Sequence, residues 1–237
     1  MNTEPLVITG VGRRLGFHLA STFLARQASV VGLYRTERPQ LQRLREGGAT
    51  LLQCDFDNAA DLRATTDLLH TRYPAIRALI HNASNWDAEH NAEPDPSLFQ
   101  RMMNVHVWVP YSMNLALADN LLASRARYAD IVHIGDYVST RGSRKHIAYA
   151  ASKAAQDNLT LSFAQRLAPD VKVNSIAPAL VVFNDDDDAT YRQKALTKSL
   201  LQREGGLHEF QRTVDYVLES EFMTGHLLPF HGGRHLR

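Results

Sequence analysis

Tyr149 and Lys153 carry the pair of side chains best suited to proton transfer. They stand four positions apart in a segment rich in helix-forming residues, so a helix would place both on one face. A neighbouring ammonium favours the phenolate and lowers the pKa of a tyrosine from about 10, each unit being worth about 1.4 kcal/mol. Such a tyrosine can exchange a proton near neutral pH while a hydride moves. The alternative is a surface Tyr–Lys pair without catalytic use.

A glycine-rich turn occupies residues 9–16, between an apolar segment and a segment with helical spacing. Glycines let the backbone approach a pyrophosphate, and the helix N-terminus supplies N–H donors with a partial positive charge. The spacing is not G-x-G-x-x-G, so the prediction of a dinucleotide site rests on the position of this turn between a predicted strand and a predicted helix. We expect a dinucleotide here with Lys153 on its ribose, a generic strand–helix turn being the alternative. The predicted contacts in the turn are Gly10, Arg13, Arg14, Leu15 and Gly16.

The end of the second apolar segment indicates which dinucleotide binds. NAD enzymes usually place a carboxylate about twenty residues past the glycines, but this chain has Tyr34, Arg35 and Thr36 there. An arginine fork and a hydroxyl match a 2′-phosphate, whereas a carboxylate would repel it. Glu37 follows, but it is flanked by Thr36 and Arg38. We therefore predict NADPH as the cofactor, with a merely solvated Arg35 as the alternative.

The elements that position these residues belong to a chain of 237 residues, 44% hydrophobic and 22% charged. This composition excludes a disordered or fibrous chain and predicts one domain over residues 1–237. No apolar run approaches the roughly 18 residues of a membrane span. A net charge of +1 offers no basic field for nucleic acid. One cysteine, and a first strand that leaves no charged leader ahead of it, favour a cytoplasmic protein.

Short β-rich segments alternate with longer segments of helical spacing along the chain. This alternation predicts an α/β fold with a doubly wound parallel sheet (Rossmann), buried on both faces. The predicted strands are residues 6–9, 29–33, 50–54, 78–81, 130–134, 172–176 and 227–230. Helical spacing is found in Leu15-Leu19-Phe23, Leu62-Leu68-Leu69, 150–167 and 191–201. The acidic run 185–188 lacks the alternating spacing of a calcium loop and predicts a solvated loop.

These motifs occur in the order typical of short-chain dehydrogenases/reductases, and the whole chain resembles that family. Further matches are Asp55, residues 81–84, residues 173–178, Thr224-Gly225 and Gly232-Gly233. The resemblance implies a single Rossmann domain that assembles into homo-dimers or homo-tetramers. It also implies that Asp55 lies near the adenine of the cofactor and that Asn82, followed by Ala83, lies near the adenosine ribose.

Several positions depart together from the common pattern of that family. Arg14 replaces the second glycine of T-G-x-x-x-G-x-G, and Asp136 replaces the serine thirteen residues before the tyrosine. Ser84 replaces the glycine of N-A-G, and Trp86 follows two residues later. This combination resembles the pteridine reductases. It implies reduction of a 7,8-dihydropterin to the tetrahydropterin, with dihydromonapterin as the leading substrate and dihydrofolate as a secondary one.

The chemistry of a pterin gives these departures a reason. Reduction of its C=N bond puts hydride on carbon and a proton on nitrogen, and an imine nitrogen calls for an acid rather than a serine hydroxyl. We expect a partly buried Asp136 with a raised pKa to supply that proton together with Tyr149. Trp86 would stack on the flat ring, and Arg14 would bridge the cofactor phosphate and the polar pterin edge. Ser84 completes the predicted substrate contacts.

Each of these assignments has a simpler alternative. Asp136 would only orient Tyr149, or would pair with a basic residue of the 141–145 loop. Trp86 would be a core aromatic, and Arg14 would serve the phosphates alone. The basic loop 141–146 is predicted to be a solvated turn, with closure over an anionic substrate tail as the alternative.

His106 occupies the position, four residues before Pro110, where the family usually has a catalytic asparagine. Asn104 is two residues out of register. His106 therefore holds the water that the asparagine normally holds, or the proton relay differs. His231, which precedes the closing glycines, is predicted to be structural. The histidines lack zinc-like spacing with the cysteine, so no metal is expected.

Two other functions compete with pterin reduction. A carbonyl reductase acting on a ketone or a 3-oxoacyl thioester is disfavoured, because a serine supports a developing alkoxide better than Asp136 does. A non-catalytic NADP(H)-sensing regulator is disfavoured by the presence of both Tyr149 and Lys153, since a mere binder needs no tyrosine.

Overall fold

A parallel β-sheet of seven strands forms the centre of the protein, in a computed structural model that describes residues 4–89 and 95–237. The strands are β1 (Leu6–Thr9), β2 (Val30–Tyr34), β3 (Thr50–Gln53), β4 (Ala78–His81), β5 (Ala129–Ile134), β6 (Val171–Pro178) and β7 (Leu227–Phe230). Their order is β3-β2-β1-β4-β5-β6-β7, and each neighbouring pair is parallel. The strand order reverses between β1 and β4, and ligands of such sheets bind at the carboxyl ends of the strands beside that point.

Helices cover both faces of the sheet. They are α1 (Arg14–Ala25), α2 (Gln40–Glu46), α3 (Ala59–Arg72), α4 (Leu98–Met103), α5 (Val109–Ala116), α6 (Ala118–Leu122), α7 (Ile147–Leu167), α8 (Ala189–Leu196) and α9 (Leu207–Glu219). One core contains Leu69 of α3, Met113 of α5 and Phe163 of α7. The other contains Leu19 of α1 and Phe210 of α9. This is the doubly wound α/β fold that the alternation of segments predicts, and the fold prediction is confirmed.

The structure adds two details to the predicted helices. Leu68 is 44% exposed, because the buried face of α3 is formed by Leu62, Thr65, Thr66 and Leu69. The pattern over 191–201 yields a helix that already ends at Leu196. There the Thr197 hydroxyl donates to the carbonyl of Lys194, a local bond that competes with continued helix. Within the described residues, no helix combines the length and apolarity needed to cross a bilayer.

Candidate active site

One cavity of about 1040 Å³ opens at the carboxyl ends of the central strands. All residues predicted to act in binding or catalysis line it, although their spacing in the sequence is wide. They are Gly10, Arg13, Arg14, Leu15, Gly16, Tyr34, Arg35, Thr36, Asp55, Asn82, Ala83, Ser84, Trp86, Asp136, Tyr149 and Lys153. The structure therefore brings the predicted site together, and the individual roles stay predictions.

The glycine-rich turn is fastened to the end of β4. Thr9 Oγ1 accepts hydrogen bonds from the backbone N–H groups of Asn82 and Ala83, both at 3.0 Å. Asn82 Nδ2 donates to the carbonyls of Thr9 and Gly10, at 3.0 and 3.1 Å. Gly10 has φ +74°, and a Cβ there would lie 2.8 Å from the Cα of Ala83. Asn82 thus uses its amide donors to hold the turn, a role that its predicted place near the ribose did not include.

The start of α1 suits a diphosphate. Arg13 precedes the helix in an extended conformation, no side chain caps the helix, and its first turn holds no acidic residue. The first N–H groups of the helix and the positive end of its dipole are therefore available to an anion. Arg13, Leu15 and Gly16 line the cavity at this point.

Arg14 adopts a backbone conformation that usually belongs to glycine. Its φ is +50°, in the left-handed region, which costs a residue with a Cβ about 1–2 kcal/mol. This explains why the common family pattern has a glycine at the same position. Its guanidinium Nη2 donates to the carbonyl of Val182, at 2.8 Å, in the loop after β6. Arg14 therefore lines the cavity and also contacts that loop. The contact with the loop was not part of either predicted role, which were to bridge the cofactor phosphate and the pterin or to bind the phosphates alone.

The far end of the cavity, beyond β2, is rich in cations. Arg45 binds both carboxylate oxygens of Glu37, each at 2.8 Å, and lowers the pKa of Glu37 below its usual value. Arg35 is exposed and lies 3.7 Å from Asp57, while Arg38 also lines the cavity. Arg45 thus neutralises the Glu37 charge, Arg35 has Asp57 as an ion-pair partner, and Arg35 and Arg38 are arginines that line this end of the cavity.

Tyr149 and Asp136 form the polar centre of the cavity. The Tyr149 hydroxyl donates to Asp136 Oδ2 at 2.8 Å, and the other carboxylate oxygen accepts from the backbone N–H of Val138 at 2.9 Å. Burial raises the pKa of Asp136 above its usual value. Burial, followed by the Asp136 charge, raises the pKa of Tyr149 well above its usual value. Asp136 therefore orients Tyr149, and both groups retain protons more strongly than in water.

The expectation that Lys153 lowers the pKa of Tyr149 is wrong for this structure. Lys153 Nζ lies 5.8 Å from the centroid of the Tyr149 ring and donates to the carbonyl of Ile134 at 2.7 Å and to Gln156 Oε1 at 3.2 Å. The nearest charge acting on the tyrosine is the Asp136 carboxylate. Lys153 itself is fully buried, and this burial lowers its pKa to about 8.

His106 connects the cavity to the helix that carries Tyr149. Its Nε2 lies 2.8 Å from Ser84 Oγ, and its Nδ1 lies 2.8 Å from Ser152 Oγ. The single hydroxyl proton of Ser152 is donated to the Tyr149 carbonyl at 2.7 Å, so Nδ1 carries a proton and Nε2 accepts one from Ser84. Burial, with the Lys153 charge, lowers the pKa of His106 far below its usual value, which keeps the ring neutral.

The backbone at His106 is irregular. A π-helical turn spans Asn104–Trp108, between α4 and α5, and Pro110 follows without an N–H to offer the His106 carbonyl. Asn104 Nδ2 donates instead to the Phe56 carbonyl, at 2.8 Å. Pro110 was the available signal for this irregularity, but helical periodicity alone does not reveal a π-turn.

Trp86 is not a core aromatic, since 65% of its surface is exposed. Its ring stacks on His146 with centroids 4.3 Å apart. His146 Nδ1 is 2.7 Å from the Asp87 carbonyl oxygen, and the Glu89 carboxylate accepts from the N–H groups of Ile147 and Ala148 at the start of α7. The segment that carries Trp86 is thus tied to α7. His146 is a site residue that the sequence reasoning missed, because the two rings are sixty residues apart.

Metal binding finds no support in the part of the chain that the structure describes, where no cluster of three potential ligands occurs. His231 packs against His235 with ring centroids 4.5 Å apart. The absence of a metal from the reaction stays a prediction.

The fold and the Tyr149–Lys153 pair beside a glycine-rich turn define a dehydrogenase/reductase site. A family model described as "Enoyl-(Acyl carrier protein) reductase", of the short-chain type, matches residues 10–235. The chain belongs to the short-chain dehydrogenase/reductase family, as its motifs indicated.

Relatives within this family share nearly the full length of the chain. Dihydromonapterin reductase from Klebsiella pneumoniae is 47% identical over 234 residues, which cover 99% of this chain and 98% of the relative. Dihydromonapterin reductase from Citrobacter koseri is 48% identical over 233 residues, covering 98% and 97%. Residues 136–138, 146–153 and 232–237 resemble bacterial dihydromonapterin reductase, and these relatives confirm that resemblance for the chain as a whole.

A solved structure extends the comparison. FolM Alternative dihydrofolate reductase 1 from Brucella suis, in complex with NADP, is 27% identical and has a TM-score of 0.87, covering 100% of this chain and 97% of its own. A nicotinamide cofactor is therefore supported for this chain by its family and by this neighbour.

Proposed function

We propose that this protein is an NADPH-dependent dihydropterin reductase that converts a 7,8-dihydropterin, in the first place dihydromonapterin, to the tetrahydropterin. Dihydrofolate is its secondary substrate. The hydrogen bond between Tyr149 and Asp136, in a cavity shared with Trp86 and the glycine-rich turn, carries the proposal. The names and near-complete coverage of the relatives support it.

Residues of the cavity would bind the cofactor at one end and supply the proton for the reaction at the other. The N-terminus of α1 and Arg13 would hold the cofactor diphosphate, Arg35 and Thr36 its 2′-phosphate, and Lys153 its ribose. The cofactor supplies a hydride to the carbon of the pterin C=N bond. Tyr149 and Asp136 supply the proton that the ring nitrogen takes up, since burial keeps both groups protonated more readily than in water. The proton lost from the pair is replaced from solvent.

The remaining groups position the pterin. Trp86 offers its ring for stacking and is itself supported by His146. Ser84 donates its proton to His106, so its lone pairs remain for the amino or N–H donors of a pterin. Arg14 would contact the polar edge of the ring.

Replacing Arg35 by alanine tests the choice of NADPH over NADH. Charge-assisted hydrogen bonds contribute about 1.5–3 kcal/mol, so we expect KM for NADPH to rise about 10–100-fold while KM for NADH hardly changes. Steady-state kinetics with both cofactors measure the effect. Arg43→Ala is a matched control, because Arg43 lies on α2 and packs on Phe17. An unchanged preference for NADPH in Arg35→Ala would show that Arg35 is only a solvated charge.

Replacing Arg14 by glycine separates substrate binding from folding. Glycine relieves the strain at φ +50° but adds about 0.5–1 kcal/mol of unfolded-state entropy, so the free energy of unfolding should stay within about 1 kcal/mol of wild type. KM for the dihydropterin should rise about tenfold through the lost polar contact. Arg13→Ala serves as the comparison and should raise KM for the cofactor. If Arg14→Gly leaves KM for the pterin unchanged, Arg14 does not bind the substrate.

Association into homo-oligomers is also part of the proposal. Trp108 and Tyr111 are 53% and 41% exposed, with ring centroids 6.0 Å apart. Tyr111 of α5 packs against the buried Phe163 of α7, and the exposed pair of rings suits a second copy of the chain. Light scattering during size exclusion measures the mass. A cytoplasmic location agrees with the one cysteine, Cys54, being free and buried.

Product analysis tests the proposed reaction. Purified protein, NADPH and 7,8-dihydromonapterin should yield tetrahydromonapterin, one molecule for each NADPH oxidised, when chromatography is combined with absorbance. Oxidation of NADPH without a tetrahydropterin product would contradict the proposal.

A further inference from the structure

A group of cations lines the cavity next to the Tyr149–Asp136 pair and has no part in the proposed reaction. We call Arg144, Lys145, Lys198 and Arg234 the cation cluster; all four line the cavity. They come from three separate segments of the chain, namely the loop before α7, the turn after α8 and the C-terminal turn. They are distinct from Arg35 and Arg38, which follow β2.

The three segments are joined by hydrogen bonds to backbone carbonyls. Arg141 Nη1 donates to the carbonyls of Arg234, His235 and Arg237, at 3.4, 3.3 and 3.0 Å. Arg237 Nη1 donates to the carbonyl of Thr197, at 2.8 Å, immediately before Lys198. These bonds hold the cation cluster together although its members repel one another.

Repulsion between the cations affects the pKa of Lys198. Burial lowers the pKa of Lys198, and the charges of Arg234, Lys194 and Lys145 lower it further. Among the residues that the structure describes, no carboxylate lies within 4.0 Å of a cationic group of the cation cluster. Such an arrangement is favourable only when an anion enters it.

Arg234 places the cation cluster beside the reacting groups. Its guanidinium lies over the Tyr137 ring, 4.5 Å from the centroid. Tyr137 directly follows Asp136 in the chain, and the Arg234 charge acts on the Asp136 carboxyl. A ligand that contacts Tyr149 and Asp136 with its ring can therefore extend a side chain toward these cations.

From this arrangement we propose that the cation cluster is a binding subsite for an anionic side chain on the pterin, either carboxylate or phosphate. The inference rests on the proposed pterin reduction and assigns residues to an anionic substrate side chain such as that of dihydrofolate. The cation cluster should then contribute to kcat/KM for dihydropterins with charged side chains and not to kcat/KM for uncharged ones. Lys and Arg bind both anions, so the residues alone do not separate carboxylate from phosphate.

Kinetics of Lys198→Ala with three substrates test the subsite. The substrates are uncharged 7,8-dihydromonapterin, dihydrofolate with its two carboxylates, and 7,8-dihydroneopterin 3′-phosphate. For each charged substrate, we divide its kcat/KM by the kcat/KM of the uncharged substrate. We expect this ratio to be about tenfold lower in Lys198→Ala than in wild type, because one charge-assisted contact is lost. A fall confined to dihydrofolate assigns carboxylates, and one confined to the ester assigns phosphate. A change below twofold in both ratios, repeated in Lys145→Ala/Lys198→Ala, would overturn the subsite.

Two further measurements keep the result clear. Arg63→Ala removes an exposed cation of α3, outside the cavity lining, and should leave both ratios at their wild-type values. Calorimetric binding of folic acid and of biopterin in the presence of NADP⁺ reports on the subsite without turnover. If no dihydropterin is reduced, the proposed function fails. The subsite would still be supported if Lys198→Ala lowered the affinity for folic acid tenfold more than it lowered the affinity for biopterin. Equal effects on both ligands would overturn it.

Discussion

Tyr149→Phe is expected to lower kcat for 7,8-dihydromonapterin by about 10²–10⁴-fold, the usual contribution of a positioned acid or base. The substitution removes one oxygen, which donates to Asp136 at 2.8 Å, and leaves the buried ring in place. The Asp136 carboxyl then loses its partner next to the pterin nitrogen. Stopped-flow measurement of NADPH oxidation gives the rate of the chemical step directly.

Binding provides the control for this variant. The Kd for NADPH should stay within a few-fold of wild type, because the cofactor contacts proposed for the turn, Arg35 and Lys153 remain. A fully active Tyr149→Phe enzyme would remove Tyr149 from the proton transfer.

Asp136→Asn is the second change with a large expected effect. Asparagine keeps the shape, its oxygen can accept from the Val138 N–H and its Nδ2 can donate to the Tyr149 oxygen, but it has no acidic proton to supply. We expect kcat to fall about 10²–10⁴-fold. Because Asp136 and Tyr149 act as one unit, the double variant Asp136→Asn/Tyr149→Phe should be little slower than either single variant. Multiplicative losses would mean that the two residues act independently.

The raised pKa of Asp136 predicts the direction in which kcat/KM changes with pH. Its pKa is raised in the folded protein, so kcat/KM for the pterin should fall as the pH rises through that pKa and Asp136 loses its proton. The descending limb should be absent from Asp136→Asn.

The raised pKa of Asp136 should also affect the stability of the folded protein. A raised folded pKa means that the charged carboxylate destabilises the fold above that pKa, whereas below the unfolded pKa there is no such cost. Asp136→Asn should therefore unfold at pH 7 at a temperature equal to or above that of wild type. A clearly lower Tm would show that Asp136 is mainly a structural residue.

The sequence was sufficient to predict the sheet and the collection of residues around the cavity. Apolar runs such as residues 78–81 are strands because both faces of a parallel sheet are buried. Residues within two positions after these strands, such as Gly10, Asn82 and Asp136, meet at one edge once the strands are parallel. The location of the site therefore follows from strand order along the chain.

The electrostatics of the site could not be predicted from spacing. Spacing puts Tyr149 and Lys153 on one helix face, but the direction of each side chain depends on acceptors elsewhere in the fold. Lys153 binds the carbonyl of Ile134, at the end of β5, and leaves the tyrosine to Asp136. Burial then raises the pKa of Tyr149, the opposite of the effect expected from an adjacent ammonium.

Contacts between distant loops were equally hidden. His106, which contacts Ser84, lies in a π-helical turn before Pro110, and Trp86 meets His146 where two loops converge at the start of α7. Neither contact leaves a periodic pattern in the chain. Arg14 is a contrasting case, since its occurrence at a glycine position did mark a residue with an unusual backbone.

The reaction itself is tested most directly by comparing two substrates with the same purified protein. NADPH absorbance is followed with 7,8-dihydromonapterin in one cuvette and with a 3-oxoacyl thioester in the other. We predict rapid oxidation with the pterin and a rate at least a hundredfold lower with the thioester, on the order of the effect of one positioned acid. Oxidation with the thioester alone would make the protein a carbonyl reductase and contradict the role given to Asp136, and no oxidation with either would indicate an NADP(H)-binding regulator.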